Sequence, residues 1–480
     1  MEKYDNLLMD FYELTMGQAY FKKGVHKKTA YFDLFFRRCP DGASYVLANG
    51  VKKCVEFLQQ FHFEKEDIDY LRSTGNFTED YLQYLSKLKF TGDMWAVKDG
   101  TVVFPNEPMI TIKAPLLEAQ LVETALLTYF NHASLITTKA NRIVQSAKGR
   151  AVMEFGTRRA QGYSAAVDGA VYAIEAGAVG TACTSAGRDF GVKTLGTMAH
   201  SFVQSFNSEY EAFKAYAESF PDACTLLVDT YNTLKLGIPN AIKVHNEVLK
   251  PMGKSLAGIR IDSGDLAYLS KQARKMLDEA GLKNAKICTS NSLDEHIIDS
   301  LLAQGAPIDS FGVGENLITA KSNPVFGGVY KLVAMEDGGK VVPKIKISDN
   351  MEKIINPHFK KIVRYFDENG MLISDVLYEH DEVLPSGKLT LKHPEQSWTN
   401  KEITNYTTML LGTKMMENGE VIVNLPSVGE VKDNIQENLK TLWPEAKRLS
   451  NPHTYTVNLS DKLAKTKNDL LLKAKQDAEK

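Results

Sequence analysis

Hydrophobic and polar positions change rhythm along the chain. From 5 to 23 (DNLLMDFYELTMGQAYFKK) apolar side chains recur at helical spacing and predict a helix. Residues 29–37 (TAYFDLFFR) predict a strand, and helical spacing returns from about 50 to 89. Between 90 and 115 the pattern breaks into short alternating runs cut by Gly and Pro, which predicts hairpins. Residues 116–148 predict one long amphipathic helical segment. The first 150 residues therefore read as an N-terminal α/β (α+β) domain.

Beyond 150 the rhythm is different. Seven apolar runs, AVMEF (151–155), AVGTAC (178–183), VKTLGT (192–197), CTLLVDT (224–230), GIRID (258–262), KICTS (286–290) and DSFGVG (309–314), alternate with helical segments. Strands covered on both faces read as apolar runs without alternation. Parallel strands in a βα repeat close naturally into a barrel, and an open doubly wound sheet is the alternative. Residues 151–335 are the expected α/β barrel. The text turns strand-like again (VYKLVAM, KIKIS, KKIVRYFD), and 336–395 is expected to return to the N-terminal domain. Residues 396–480 are more polar, end in a charged helix and read as an appended domain. Lysines alternate with acids in that helix, the mark of a solvated face.

A length of 480 residues implies two or three domains. A formal net charge of −2 gives no support to a nucleic-acid or membrane-surface role, so phosphate-rich ligands must be held by local features. Cys39, Cys54, Cys183, Cys224 and Cys288 are scattered and form no Cys-x-x-Cys, which argues against a disulfide framework or a zinc site and fits a reducing cytoplasm. The N-terminus carries acids where a signal peptide carries a basic region. The most apolar stretch, 164–187, is broken by Asp168 and Glu175, so no membrane span is expected.

Polar residues cluster just after the apolar runs: GTRR, GTACTS, GTMAH, DTYN, DSGD, SNS and GEN. In βα folds these strand-end loops carry the chemistry. Helix capping accounts for Gly, Ser, Asp and Asn there, but not for Arg158, Arg159, His200 and Arg260. Gly253-Lys254-Ser255 lacks the earlier Gly of a nucleotide-binding P-loop, since Val248 occupies that position. Gly312-x-Gly314 suits either a phosphate loop or a tight turn. Asp262 and Asp265, around a Ser-Gly turn, suit Mg²⁺ bound through water together with ribose contacts, or else one of them is an N-cap. His200 is either a structural histidine or a functional one, and Tyr12 is by default a core or surface aromatic.

Taken together, DFYELTMGQAY (10–20), EFGTRRAQG (154–162), GTMAH (196–200), LVDTYNTL (227–234), IRIDSGDL (259–266), TSNSLDE (289–295) and FGVGENL (311–317) resemble, in order, the nicotinate phosphoribosyltransferase family. The resemblance spans about 5–335 and owes little to the last 90 or so residues. It implies an N-terminal α/β domain followed by an incomplete α/β, TIM-like barrel, commonly in homodimers with shared active sites. It also implies that nicotinate and phosphoribosyl pyrophosphate give nicotinate mononucleotide and pyrophosphate, with ATP as co-substrate and Mg²⁺ required, in NAD salvage. By the same resemblance His200 is the histidine that ATP phosphorylates, and Thr197 is a substrate contact. Tyr12 reaches a neighbouring subunit's nicotinate ring, and Phe155 covers its other face. Arg158 and Arg260 are site arginines, and Asn291 belongs to the substrate set. Asp262, Ser263 and Gly264 form the ribose and metal loop, with Asp265 a further metal candidate. Gly312 and Gly314 form the 5′-phosphate loop. Glu315 departs from members that carry Thr there, and its backbone rather than its side chain is expected to meet phosphate. Nicotinamide-using relatives carry an acid where this chain has Ala182, which points to nicotinate. The competing readings are a nicotinamide or quinolinate phosphoribosyltransferase, a non-catalytic barrel that binds phosphorylated metabolites, and an aldolase-type barrel. The last would want a Schiff-base Lys that the strand-end motifs do not offer.

Overall fold

The computed structural model describes residues 4–348, 353–392 and 400–478. It divides into two compact units, one formed by 1–135 with 325–480 and the other by 136–324. Among the described residues no helix is long and apolar enough to cross a membrane.

The first unit is built on a seven-stranded antiparallel sheet. Thr29–Phe36 lies between Gly328–Asp337 and Ile110–Pro115, so the predicted early strand is central and buried along almost its whole length. Residues from the C-terminal region complete this sheet, because Thr413–Glu417 pairs with Asp93–Ala96. Helix Val428–Thr441 buries Val431, Ile435 and Leu439 against Tyr45, Leu47, Val102 and Phe104. The segment read as appended thus shares strands and core with the N-terminal residues. A second sheet pairs Lys360–Phe366 with Leu372–Glu379 across the DENG turn. The run KIKIS (344–348), read as a strand, has no regular structure. Two ion pairs are sealed inside this unit, Lys360–Asp33 at 2.7 Å and Arg364–Asp375 at 2.6 Å. Removing one partner would strand a charge in the core.

The second unit holds six parallel strands: β1 (Ala151–Glu154), β2 (Gly180–Thr181), β3 (Thr225–Leu227), β4 (Gly258–Ile261), β5 (Lys286–Thr289) and β6 (Ser310–Val313). Their order in the sheet is β2-β1-β6-β5-β4-β3. The last strand pairs with the first, in register from Ser310–Ala151 to Val313–Glu154. That is the cyclic order of a barrel; a doubly wound sheet would reverse direction at a switch point. The ring is left open between β2 and β3. The run 192–197, expected as a seventh strand, makes only one parallel bridge, from Thr194 to Thr181. Gly196–Ala199, at and just beyond the end of that run, has no strand neighbour.

Candidate active site

The C-terminal ends of β1, β4, β5 and β6 open into one cavity of about 490 Å³. It brings together Phe155, Arg158, Thr197, His200, Arg260, Asp262, Asn291, Gly312, Gly314 and Glu315, which are scattered over 160 positions of sequence. Each strand delivers its residues by a local device. On β1, the carboxylate of Glu154 is fully buried and accepts hydrogen bonds from Thr181 Oγ1 at 2.6 Å and from the Gly156 N–H. Burial pushes this carboxyl above its ordinary range, against those hydrogen bonds. The link joins the ends of β1 and β2, which carry Phe155 and Ala182 into the cavity wall. On β6, a Cβ at Gly312 would lie 2.5 Å from the Phe155 ring. The missing side chain therefore makes room for the aromatic, whatever else the loop does.

Arg260 leaves β4 and donates to Thr197 Oγ1 at 3.1 Å and to the Met198 carbonyl at 2.9 Å. It pins the segment that the interrupted ring leaves unpaired. His200 opens the short helix His200–Gln204 and is about 39% exposed. Its Nδ1 shares a hydrogen bond with Thr230 Oγ1 at 3.0 Å. Its Nε2 lies 3.9 Å from Asp229 Oδ1 and 3.7 Å from Asp262 Oδ2. The side chain of Asp229 is only 1% exposed. Its Oδ2 accepts from the Asp262 N–H at 3.0 Å and Ser263 Oγ at 2.6 Å, while its buried Oδ1 has no hydrogen-bond partner. Ser290 in turn donates to Asp262. An imidazole fixed through Nδ1 thus presents Nε2 between two carboxylates, an arrangement suited to a nucleophilic nitrogen that must also bear positive charge.

The remaining candidates fall differently. Gly264 takes φ +80°, a left-handed turn that leads into Asp265. Asp265 does not line the cavity; its Oδ1 accepts from the Tyr268 N–H at 2.9 Å and caps the helix Leu266–Glu279. Glu315 turns its carboxylate to Lys321 Nζ at 2.6 Å, with Arg159 Nε at 3.9 Å, and Lys321 holds it below the usual carboxylate range. Among the described residues, neither Arg158 nor Arg260 forms an ion pair, and both line the cavity together with Asp262 and Glu315. Tyr12 belongs to the other unit, on the helix Phe11–Lys22, and is 43% exposed. Sequence reasoning passed over Asp229, Thr230, Glu154, Ser290 and Asn316. DTYN was visible as a polar cluster, but an Asp there is indistinguishable from a cap until its burial is known.

Residues 7–131 match the nicotinate phosphoribosyltransferase N-terminal domain, 150–370 the nicotinate phosphoribosyltransferase family, and 359–467 its C-terminal domain. The nicotinate phosphoribosyltransferase of Bacillus subtilis is 43% identical over 458 residues, covering 95% of this chain and 93% of that one. This chain belongs to the nicotinate phosphoribosyltransferase family. The human nicotinate phosphoribosyltransferase is 31% identical, covering 97% of this chain and 96% of its own. The crystal structure of human nicotinic acid phosphoribosyltransferase matches with a TM-score of 0.84 at 29% identity, over 97% of this chain and 100% of that chain. A nicotinate-nucleotide pyrophosphorylase from Pyrococcus furiosus shares the fold, with a TM-score of 0.70 at 22% identity over 92% of this chain and 97% of its own.

Proposed function

We propose that this chain is a nicotinate phosphoribosyltransferase of NAD salvage. It joins nicotinate to phosphoribosyl pyrophosphate, releasing nicotinate mononucleotide and pyrophosphate while ATP and water become ADP and phosphate. The observation that carries the reading is the convergence of His200, Asp262, Arg158, Arg260 and a ring-packed glycine loop on one cavity in a member of this family. Phosphoribosyl transfer passes through an oxocarbenium-like ribose and needs no enzyme nucleophile. The protein's part is to position the partners and stabilise charge moving onto the leaving group. Arg158 and Arg260 supply fixed positive charge, and an arginine fork matches a carboxylate. Phe155 offers one face for the pyridine ring, and the Gly312–Gly314 backbone is open to the 5′-phosphate. Ala182 lines the same cavity without adding an acid, which favours the nicotinate carboxylate over the nicotinamide amide.

His200 is the residue for the ATP-coupled step. Its Nε2 attacks the γ-phosphorus as ADP leaves, and water later cleaves the N–P bond to release phosphate. Asp229 and Asp262 stabilise the charge on the ring. Among the described residues no group of three or more His, Cys, Asp or Glu side chains is placed to hold a metal by itself. Mg²⁺ commonly binds through one or two carboxylates plus substrate phosphates, and Asp262, facing the cavity, fits that mode better than the helix-capping Asp265. Bound there, Mg²⁺ would neutralise charge on the departing pyrophosphate. The reading includes a homodimer in which Tyr12 serves a neighbouring cleft. It also includes a reducing cytoplasm, in keeping with five scattered cysteines that form no Cys-x-x-Cys. Assaying pyrophosphate release with nicotinate, nicotinamide and quinolinate, each with and without ATP, tests it. Turnover of nicotinate stimulated by ATP is expected, and preference for either other base would overturn it.

A further inference from the structure

The cavity wall contains a backbone feature that the chemistry above does not explain. Asn291 and Ser292 are consecutive non-glycine residues in the left-handed region, at φ +92° and φ +50°. Such positions persist only where surrounding groups over-determine them. The turn is held from both sides. C-terminal to it, Leu293 is buried, and Asp294 caps the helix Glu295–Ala303 by accepting from the Ile297 N–H at 2.8 Å. Glu295 is buried and pairs with Lys139 Nζ at 2.8 Å and Arg142 Nε at 3.1 Å. From the loop after the adjacent strand β6, Asn316 Nδ2 donates to the Ser292 carbonyl at 2.9 Å and the Leu293 carbonyl at 3.1 Å. Two carbonyl acceptors fix the amide orientation, because only the NH₂ end can face both. Asn316 stands two residues after Gly314, in the helix Glu315–Ile318. One side chain therefore straps the strained turn to the loop of Gly312 and Gly314.

We propose that Asn316 is a positioning residue for phosphoribosyl pyrophosphate: its amide holds the Asn291–Ser292 turn in its left-handed conformation and so fixes the distance between that turn and the Gly312–Gly314 loop. This rests on reading the loop as the seat of the 5′-phosphate. The strap acts on the geometry of that end of the cleft.

Asn316→Ala should raise KM for phosphoribosyl pyrophosphate by about 10-fold while kcat and KM for nicotinate change by less than about 3-fold. Asn316→Asp, which is the same shape but turns a carboxylate toward two carbonyls, should be at least as impaired. Asn316→Ser keeps one donor, should fall between, and serves if the alanine variant does not fold. The decisive readout is rescue. Glycine adopts positive φ without strain, so Ser292→Gly added to Asn316→Ala or Asn316→Ser should recover most of the lost KM. An unchanged KM in a folded Asn316→Ala or Asn316→Ser protein, or a raised KM that Ser292→Gly does not improve, would overturn the proposal. Wild-type protein assayed alongside separates the two levels: no transfer by wild type sinks the functional reading, whereas normal wild-type transfer with an indifferent Asn316 sinks only the strap.

Discussion

At the scale of single residues, the site depends on side chains whose chemistry is decided by neighbours. His200 is partly exposed, yet its ring is held by Thr230 and faces Asp229 and Asp262. Its assignment is to ATP coupling and not to the displacement at ribose, so His200→Ala should abolish ATP hydrolysis and leave a slow, ATP-independent transfer. Retention of normal ATP hydrolysis by the variant would refute the assignment. Ala182 makes the converse argument, through what it lacks. Ala182→Asp would set a carboxylate beside the nicotinate carboxylate, and two such charges about 4 Å apart repel by about 4 kcal/mol at an effective dielectric of about 20. Solvent and rearrangement reduce this, so kcat/KM for nicotinate should fall by about 10- to 1,000-fold, with nicotinamide affected much less. Steady-state kinetics on both bases checks it, and unchanged nicotinate kinetics in a folded variant would rule it out. Much of this was legible: His200, Arg158, Arg260, Asp262 and Phe155 all stood in strand-end motifs. Asp229 and Glu154 were not, because what distinguishes them is burial, and burial depends on strands that meet only in the folded chain.

At the scale of elements, short pieces of regular structure are tied at their ends by side chains. The helix Phe11–Lys22 starts with a capping box in which Glu13 reaches back to the Asp10 N–H at 3.4 Å while also accepting from Thr124. Glu13 is fully buried and its Oε2 has no partner, so burial raises its pKa from an ordinary 4.5 to about 7, with the nearby Glu123 adding to the shift. A carboxyl that holds its proton more tightly when folded stabilises the protein below its unfolded pKa, and that contribution is lost as pH rises through about 7. Glu13→Gln removes the titration. Its melting temperature should exceed that of wild type by a few degrees near pH 8 and converge with it near pH 5. Parallel melting curves across that range decide the matter, and a gap independent of pH would contradict it. Gly312 is the second element-scale test. Alanine there would drive a Cβ to 2.5 Å from the Phe155 ring and displace it, so Gly312→Ala should reduce kcat/KM for nicotinate by about 10-fold or more with little change in ATP hydrolysis. Equal losses in both would point to general disruption of the sheet. The apolar runs announced six of the strands because parallel strands covered on both faces must be apolar throughout. The run 192–197 has the same composition but finds only one backbone bridge. The helical segment 116–148 is divided at Val122 into Leu116–Leu121 and Glu123–Ser146.

At the scale of the whole molecule, the chain folds back on itself in a way local pattern does not reveal. Thr413–Glu417 pairs with Asp93–Ala96 across more than 300 residues, and no periodicity in either segment names the other. Assembly is a step further from the sequence. Tyr12 and His200 lie in different units. Tyr12 keeps an exposed ring, while its hydroxyl interacts with the buried Glu123, which also accepts from Gln120 Nε2 at 2.8 Å. An aromatic tethered at its polar tip and otherwise exposed is suited to a ligand or partner rather than to its own core. If Tyr12 serves the neighbouring subunit's cleft, a hybrid of Tyr12→Ala and His200→Ala subunits has one cleft lacking both residues and one lacking neither. In an equal mixture about half the dimers are hybrids with one intact cleft each, so coupled activity should return to about a quarter of wild type. If Tyr12 serves its own subunit, every cleft in the mixture lacks one residue and activity stays at the level of the separate variants. Subunit exchange is verified with two affinity tags, and ATP-coupled nicotinate turnover is measured before and after mixing. No recovery after proven exchange would exclude the shared site.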